Sequence, residues 1–255
     1  MSELSGLYAL WYREFKVFTR ERSRVIGSLV QPLMWLIIFG TGLGSFVGES
    51  FSSSGISYQQ FIFPGILAMT ILFGSLFFGL YIIMDKRVDF LKEVLVAPLS
   101  RTTIFFGKVI GGATDNTIEI IILLILGALF FGIHFTIFSF IETIVLLVLL
   151  MVSVISLGLT FGAVMSSPEG FGLVINFVVF PLFFLSGALY PVKTLPSWLY
   201  AFVAVNPISY AVDALRSVVL GTSSAFGLPL DFAVMVGFAI AMIVVGTEAF
   251  RRMKV

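Results

Sequence analysis

The chain has 255 residues, of which 59% are apolar and only 11% charged, and its mean hydropathy is +1.11. A soluble domain is about a quarter charged, so this composition puts the chain in a bilayer and argues against a water-soluble enzyme or a nucleic-acid-binding module. The chain contains no cysteine, which removes disulfides and thiolate metal sites, and a net charge of +1 names no partner.

The opening MSELSGLYALWYREFKVFTRERSR is charged throughout and lacks a compact apolar core followed by small residues, so it does not read as a cleavable signal peptide. Over residues 3–20, Leu4, Leu7, Tyr8, Trp11, Phe15 and Phe18 recur at helical spacing, with Arg13, Glu14, Lys16 and Arg20 elsewhere. This pattern predicts an amphipathic helix within a 1–24 interfacial segment, with Glu14 and the basic residues facing the cytosol.

About 20 apolar residues cross a bilayer as a helix. Runs of that kind occur at Val25–Val47, Gln60–Met84, Ile104–Phe131, Phe138–Met165, Gly170–Leu189 and Phe232–Phe250. They predict an all-α membrane protein of six spans in one 1–255 domain. Pro32 predicts a kink early in the first span. Gly40, Gly42 and Gly44 near its outer end predict close approach to another copy of the chain or to the fifth span.

Thirteen of the fifteen Lys and Arg residues lie before the first span, between the second and third, or after the sixth; only Lys193 and Arg216 lie on the other side. By the positive-inside rule both termini and the 85–103 loop are cytoplasmic. In that loop Phe90, Leu91, Val94 and Leu95 make a short apolar face opposite Asp89, Lys92 and Glu93, and Pro98 ends it. Such a face needs lipid headgroups or a partner protein to press on. Ser100 is placed to cap the next helix.

The third span carries Asp115 and Glu119, four residues apart and therefore on one face. Ionisable groups within a span are functional candidates, but pairing with Lys108 or Arg101 near the cytoplasmic boundary accounts for them structurally. The Ser166–Gly170 turn is a second, smaller cytoplasmic contact, where Glu169 favours the next helix N-terminus. His134, the only histidine, makes neither a metal site nor a triad.

The segment Phe177–Gly221 begins as a span and breaks at Gly187, Tyr190 and Pro191. It turns through Pro196, continues past Trp198 and Tyr200, and breaks again at Asn206-Pro207. Interrupted backbone at membrane depth is tolerated only where protein or a water-filled cavity satisfies it. The expectation is a re-entrant external segment over 190–221.

No phosphate-binding loop, nucleophile elbow or His-Glu-x-x-His pattern occurs, so energy for any transport comes from elsewhere. Three rivals to energised transport stand at this point: an ion-coupled secondary carrier using Asp115 and Glu119, a non-transporting membrane scaffold, and an intramembrane enzyme, for which the sequence shows no cluster of catalytic polar groups.

The runs FLSGALYPV (Phe184–Val192), LPSWLYAFVAVNP (Leu195–Pro207) and SYAVDALR (Ser209–Arg216), with the cytoplasmic KEVLVAPLSR (Lys92–Arg101), resemble the membrane subunits of ABC-2-type transporters. The resemblance is to the drug-resistance and lipo-oligosaccharide export permeases in particular. It implies a homodimer in the cytoplasmic membrane of a prokaryote, bound to two ATPase subunits that hold ATP and Mg; this chain itself has no cofactor and no catalytic residue. The cargo so implied is an amphipathic drug, a lipid or a lipid-linked saccharide.

By the same resemblance Asp89, Phe90, Leu91, Glu93, Val94, Leu95 and Pro98, with Glu14 and Glu169, couple to the ATPase. Gly40, Gly44, Phe180 and Phe184 border the path or the dimer interface. Gly187, Pro191, Pro196, Trp198, Asn206 and Pro207 form an external gate.

Overall fold

The computed structural model describes residues 3–52, 55–88, 91, 94, 96 and 98–253, with backbone only at 22–24 and 47–52. The described part is helical. In order come α1 (Glu3–Arg20), α2 (Arg22–Ser52), α3 (Tyr58–Arg87), α4 (Arg101–Phe131) and α5 (Ile137–Val164). α6 (Pro168–Val174) passes through a π-helical turn (Ile175–Val179) into α7 (Phe180–Phe184). α8 (Ser197–Val205), α9 (Pro207–Leu220) and α10 (Leu228–Arg252) complete the chain.

Five helices are long and apolar enough to cross a membrane, and the bent pair α8–α9 brings the number to about six. The expected all-α architecture is present. α2 to α5 have 28 to 31 residues each, or about 42–46 Å at 1.5 Å per residue. They overrun a hydrocarbon core of about 30 Å.

The starts and stops follow local chemistry. Ser57 and Gln60 form a reciprocal capping box on α3, and Thr136 and Ser139 form one on α5. Ser100 caps α4 by accepting from the Thr103 amide, as expected, and Gly132 ends α4 in the left-handed conformation.

α3 is the axis of the bundle: every residue from Phe61 to Leu72 is buried. It crosses α5 at a glycine contact. A Cβ on Gly79 would strike the Gly158 carbonyl, and one on Gly162 would strike the Gly79 carbonyl. Side chains are absent there because the two backbones touch. α2 and α10 are mostly exposed, as expected for helices that meet lipid or another subunit. α2 runs through Pro32 without interruption.

The expected fifth span, Gly170–Leu189, is shorter than its composition suggests. The helix stops at Phe184, and Gly187 follows at φ +71°, a conformation open to glycine. Seventeen residues at 1.5 Å each reach about 25 Å, so the backbone breaks before the far surface.

α1 keeps most of its aromatic face on the outside, where an interfacial helix meets lipid, but turns Glu14 inward instead of toward the cytosol. Gly6, Leu10, Glu14 and Phe18 are the buried row, while Leu4, Tyr8 and Tyr12 are exposed. The reason is close backbone packing: Gly107 of α4 receives Leu10, and Gly111 receives the Glu14 stem. The larger aromatics stack along the outer face, Tyr8 on Tyr12 at 6.0 Å and Trp11 on Phe15 at 5.7 Å.

Candidate functional site

One end of the bundle collects most of the basic residues, and there α1 is locked to the membrane helices. Lys108 Nζ, 3% exposed, donates to Glu14 Oε1 and Asp85 Oδ2, both at 2.8 Å. Arg13 reaches the same two residues, Glu14 Oε1 at 2.7 Å and Asp85 Oδ1 at 3.5 Å. Two cations and two carboxylates from α1, α3 and α4 thus form one partly buried cluster.

Burial of the Glu14 carboxyl opposes its ionisation. The Lys108 ammonium, with Arg13 beside it, outweighs that and holds the pKa below its ordinary value. At the start of α1, Glu3 accepts from the Ser100 amide at 3.1 Å and from the Thr103 hydroxyl. The Thr103 hydrogen bond is the main cause of a lowered Glu3 pKa. Trp11 Nε1 donates to Thr114 at 3.1 Å.

Glu14, expected at the cytosol, is therefore turned inward and 6% exposed. Lys108 is taken by Glu14 and Asp85, so it does not pair with Asp115 or Glu119. Arg101 does not pair with them either: its guanidinium donates to the Phe250 and Arg251 carbonyls at 3.3 and 3.1 Å, and also to Met253. Lys86 does the same for α5, donating to the Gly162 and Ala163 carbonyls at 2.9 and 2.7 Å. These cations close helix C-termini, where orphan carbonyls and the negative end of the helix dipole favour positive charge.

Between Lys86 and Arg101 lies the expected coupling segment. Asp89, Phe90, Glu93 and Leu95 lie outside the described residues. Leu91 is 1% exposed and belongs to the core of the chain, which corrects the expectation that it faces outward. Val94 is half-buried against the same core, and Pro98 is exposed. Among the described residues of this segment, Val96, 86% exposed, and Val88, 72% exposed, present apolar side chains to the outside. Spacing alone did not reveal them, since Leu91 and Val94 of the apolar face read from the sequence turn toward the chain itself. Glu169 is exposed and lies 3.6 Å from Arg87.

At the opposite end, side chains satisfy several carbonyls of the broken backbone at and after α7. Arg216, 8% exposed, donates to the Gly187 carbonyl at 2.8 Å, to Ala188 at 3.2 Å and to Phe61 at 3.3 Å. Its guanidinium stands 3.9 Å from the Phe61 ring centre. Tyr58 Oη donates to the Leu189 carbonyl at 2.9 Å, Asn206 Nδ2 to Leu182 at 2.7 Å, and Ser209 Oγ to Leu185 at 3.1 Å.

Arg216, read from the sequence as a charge on the far side, is an internal clamp. Asn206 both caps α9 and holds the end of α7, at the 90° bend between α8 and α9 before Pro207. Gly187 is buried, Pro191 half-buried, and Pro196 and Trp198 exposed. Beyond α9, Asp213 Oδ2 accepts from the Ala225 and Phe226 amides at 2.6 and 3.0 Å; Ser224 Oγ lies 2.8 Å from both Asp213 and Asp231.

Inside the bundle, Asp115 and Glu119 are both buried. Glu119 Oε1 lies 2.7 Å from Ser28 Oγ, and the adjacent Asn116 donates to Ser75 Oγ at 2.6 Å. Gly40 and Gly44 face α3 of the same chain: a Cβ on Gly40 would lie 2.6 Å from Gln59 Cγ, and one on Gly44 would touch Tyr58. The small size of Gly40 therefore serves packing within the chain, while a Cβ at Gly44 would make only ordinary contact. Phe180 is half-buried and Phe184 is 44% exposed. Trp35 of α2 meets Phe183 edge-on at 6.0 Å, so the first long helix and the short α7 touch within one chain.

The arrangement is built of ion pairs, capped helix ends and backbone packed at glycines. Among the described residues no group of three His, Asp or Glu could hold a metal. What it offers is a mechanically continuous link from α1 and the 88–100 loop into α3, α4, α5 and α10, with a clamped backbone break at the other end.

A family model for the ABC-2 type transporter matches residues 5–220. A relative described as transport permease ycf38, from Cyanophora paradoxa, is 32% identical over 95% of this chain and 85% of its own length. The inner membrane transport permease YadH of Escherichia coli K12 is 30% identical over 97% of this chain and 95% of its own. Nodulation protein J of Rhizobium leguminosarum bv. viciae is 24% identical over 96% and 93%.

Proposed function

The chain belongs to the ABC-2 type transporter family and is a membrane permease component, not itself a catalyst; from that premise we propose that it exports an amphipathic drug, lipid or lipid-linked saccharide, driven by a separate ATPase. In this reading two copies of the chain join two ATPase subunits that bind ATP and Mg. The complex sits in the cytoplasmic membrane with both termini inside; the similar YadH is an inner membrane transport permease.

The observation that carries the reading is how the 88–100 loop is tied to the bundle. Lys86, just before it, caps α5, and Arg101, just after it, caps α10. Leu91 roots it in the core, and the Lys108 cluster fixes α1 beside it. A partner that pushes on exposed Val96 and Pro98 thereby moves several helices at once. Coupling requires that two states of the permease differ in their contacts with the ATPase, and this rigid footing supplies such contacts. At the far end the clamped break over Gly187–Pro191 and the α8–α9 bend respond as the external gate.

The test is ATP-dependent uptake of a fluorescent amphipathic amine or lipid into inside-out vesicles holding the chain and its ATPase. Uptake should need hydrolysable ATP and persist when a protonophore collapses the proton gradient. Uptake that follows the gradient and ignores ATP would replace this reading with an ion-coupled carrier.

A further inference from the structure

Ser224, in the loop between α9 and α10, has one hydroxyl hydrogen and three polar neighbours. Its Oγ lies 2.8 Å from Asp213 Oδ2, 2.8 Å from Asp231 Oδ2 and 2.6 Å from the Gly227 amide nitrogen. A hydroxyl donates one hydrogen and accepts two. The Gly227 amide fills one acceptor place, which leaves a single hydroxyl hydrogen between two carboxyl groups. Unless one carboxyl brings a hydrogen of its own, two oxygens meet with none between them.

The surroundings decide which carboxyl that is. Asp213 Oδ2 also accepts from the Ala225 and Phe226 amides at 2.6 and 3.0 Å, and Arg216 on the same helix attracts its charge. Those partners favour an ionised Asp213. Asp231 has the reverse setting: the residue is fully buried, and its Oδ1 has no hydrogen-bond partner. In the first turn of α10, Pro229 carries no amide hydrogen, and the Leu230 and Asp231 amides bond the Gly227 carbonyl at 2.9 and 3.0 Å. Among the described residues, Ser224 is the only hydrogen-bond partner of the Asp231 side chain. A buried carboxylate without donors is costly. A carboxylic acid there completes the Ser224 site, which then accepts from Gly227 and Asp231 and donates to Asp213.

We propose that Asp231 binds a proton and is joined by it through Ser224 to ionised Asp213, a latch that fastens α9 to α10 and opens when the proton leaves. Opening releases one proton past half-buried Ser224 and leaves two carboxylates competing for one hydrogen. α9 also carries the Arg216 clamp, so the latch bears on the external gate. That consequence rests on the transport reading above; the proton site itself does not.

Other titratable groups stand near. From α9 come Tyr210, whose hydroxyl donates to the Ala204 carbonyl at 2.7 Å, and Arg216. From α8 comes Tyr200, with its ring 6.1 Å from that of Phe226. Glu142 of α5 lines a groove with Pro229 and Phe232, and His134 lines a pocket with Val218 and Gly221 at the end of α9. α4 meets α10 at its other end, where Arg101 and Phe105 reach Phe250.

Hydrogen exchange is read by mass spectrometry on the full chain in lipid nanodiscs, without ATPase or nucleotide, at mildly acidic and mildly alkaline pH. The readout is protection of the segment holding the Ala225, Phe226 and Gly227 amides, corrected for the intrinsic pH dependence of exchange. In the unaltered chain it should fall about ten- to a hundredfold from acid to alkaline pH, the range for losing a hydrogen bond to a charged group. Asp231→Asn keeps a hydrogen for Ser224 and cannot ionise, so it should hold the acid level at both. Ser224→Ala should show the low level at both. Infrared spectra of the unaltered chain should show a protonated-carboxyl C=O stretch that disappears on the same rise in pH. Protection that ignores pH, the same fall in Asp231→Asn, or no such stretch overturns the proton site. Protection restored at alkaline pH by sodium or calcium at constant ionic strength would give the two carboxylates to a metal cation, and overturns it too. Because no ATP is present, a pH-dependent latch alongside failed ATP-driven uptake would overturn the transport reading and leave the proton site standing.

Discussion

Removing Lys108 is the sharpest perturbation of the link between α1 and the bundle. Lys108→Met keeps the aliphatic stem and deletes the ammonium that joins Glu14 to Asp85. Deleting one member of a buried pair costs about 3–5 kcal/mol. Arg13 still reaches both carboxylates, at 2.7 and 3.5 Å, so about 3 kcal/mol is expected, the low end of that range. This corresponds to roughly a hundredfold shift in the local opening equilibrium.

Hydrogen exchange of the α1 amides, read by mass spectrometry in nanodiscs, should accelerate by about that factor, while the outer half of α4 stays protected. Lys108→Met combined with Glu14→Gln should recover part of the loss, because the stranded charge is gone. pH supplies a second check. The Glu14 pKa lies below its ordinary 4.5, so its contribution is fully present above that value and is lost as pH falls through the lower, folded value. In Glu14→Gln this limb should shrink to what Glu3, whose pKa is also lowered, contributes. Unchanged α1 exchange in Lys108→Met would refute the whole argument.

The other predictions concern separate parts of the chain. Arg216→Leu leaves the Gly187, Ala188 and Phe61 carbonyls without their donor, at about 1–3 kcal/mol for each buried group; the thermal midpoint should fall steeply, and Arg216→Lys should restore it only in part, having no planar fork. Gly158→Val forces α3 and α5 apart and should remove the monodisperse peak in size-exclusion chromatography, whereas Gly42→Ala, with nothing within 4 Å, should leave it intact. Val96→Glu should abolish ATPase co-purification without moving the thermal midpoint, while Leu91→Glu should lower the midpoint itself by burying an unpaired charge. A Val96→Glu variant that binds the ATPase normally would remove this surface from the coupling contact.

Much of this was legible in the residues. Long apolar runs gave α2 to α5 and α10, because about 20 apolar residues have few other uses. Ser100 and the Asn206-Pro207 pair marked their helix boundaries, because capping depends on neighbours in sequence. The inward turn of Glu14 was not legible. Its neighbours on α1 mark a helix with an apolar face toward lipid, but only Gly107 and Gly111, some 95 residues on, make room for Leu10 and the Glu14 stem. Leu91 was misread for a similar reason, since an apolar face does not say whether it points to a partner or to its own chain. The roles of Lys86, Lys108, Arg101 and Arg216 depend on contacts up to 155 positions away. Charge counting saw the first three only as markers of sidedness.

The two cationic caps also bear on how the protein is made. Lys86 and Arg101 both precede in sequence the helix ends they close, at Gly162–Met165 and Phe250–Met253. A ribosome releases the chain from its N-terminus, so each cap is synthesised before the helix that needs it. When α5 and then α10 arrive, their exposed carbonyls find a waiting donor instead of searching for one within lipid. The order of residues along the chain thus sets an order of docking, in which the last long helix seats onto a receptor completed some 150 residues earlier.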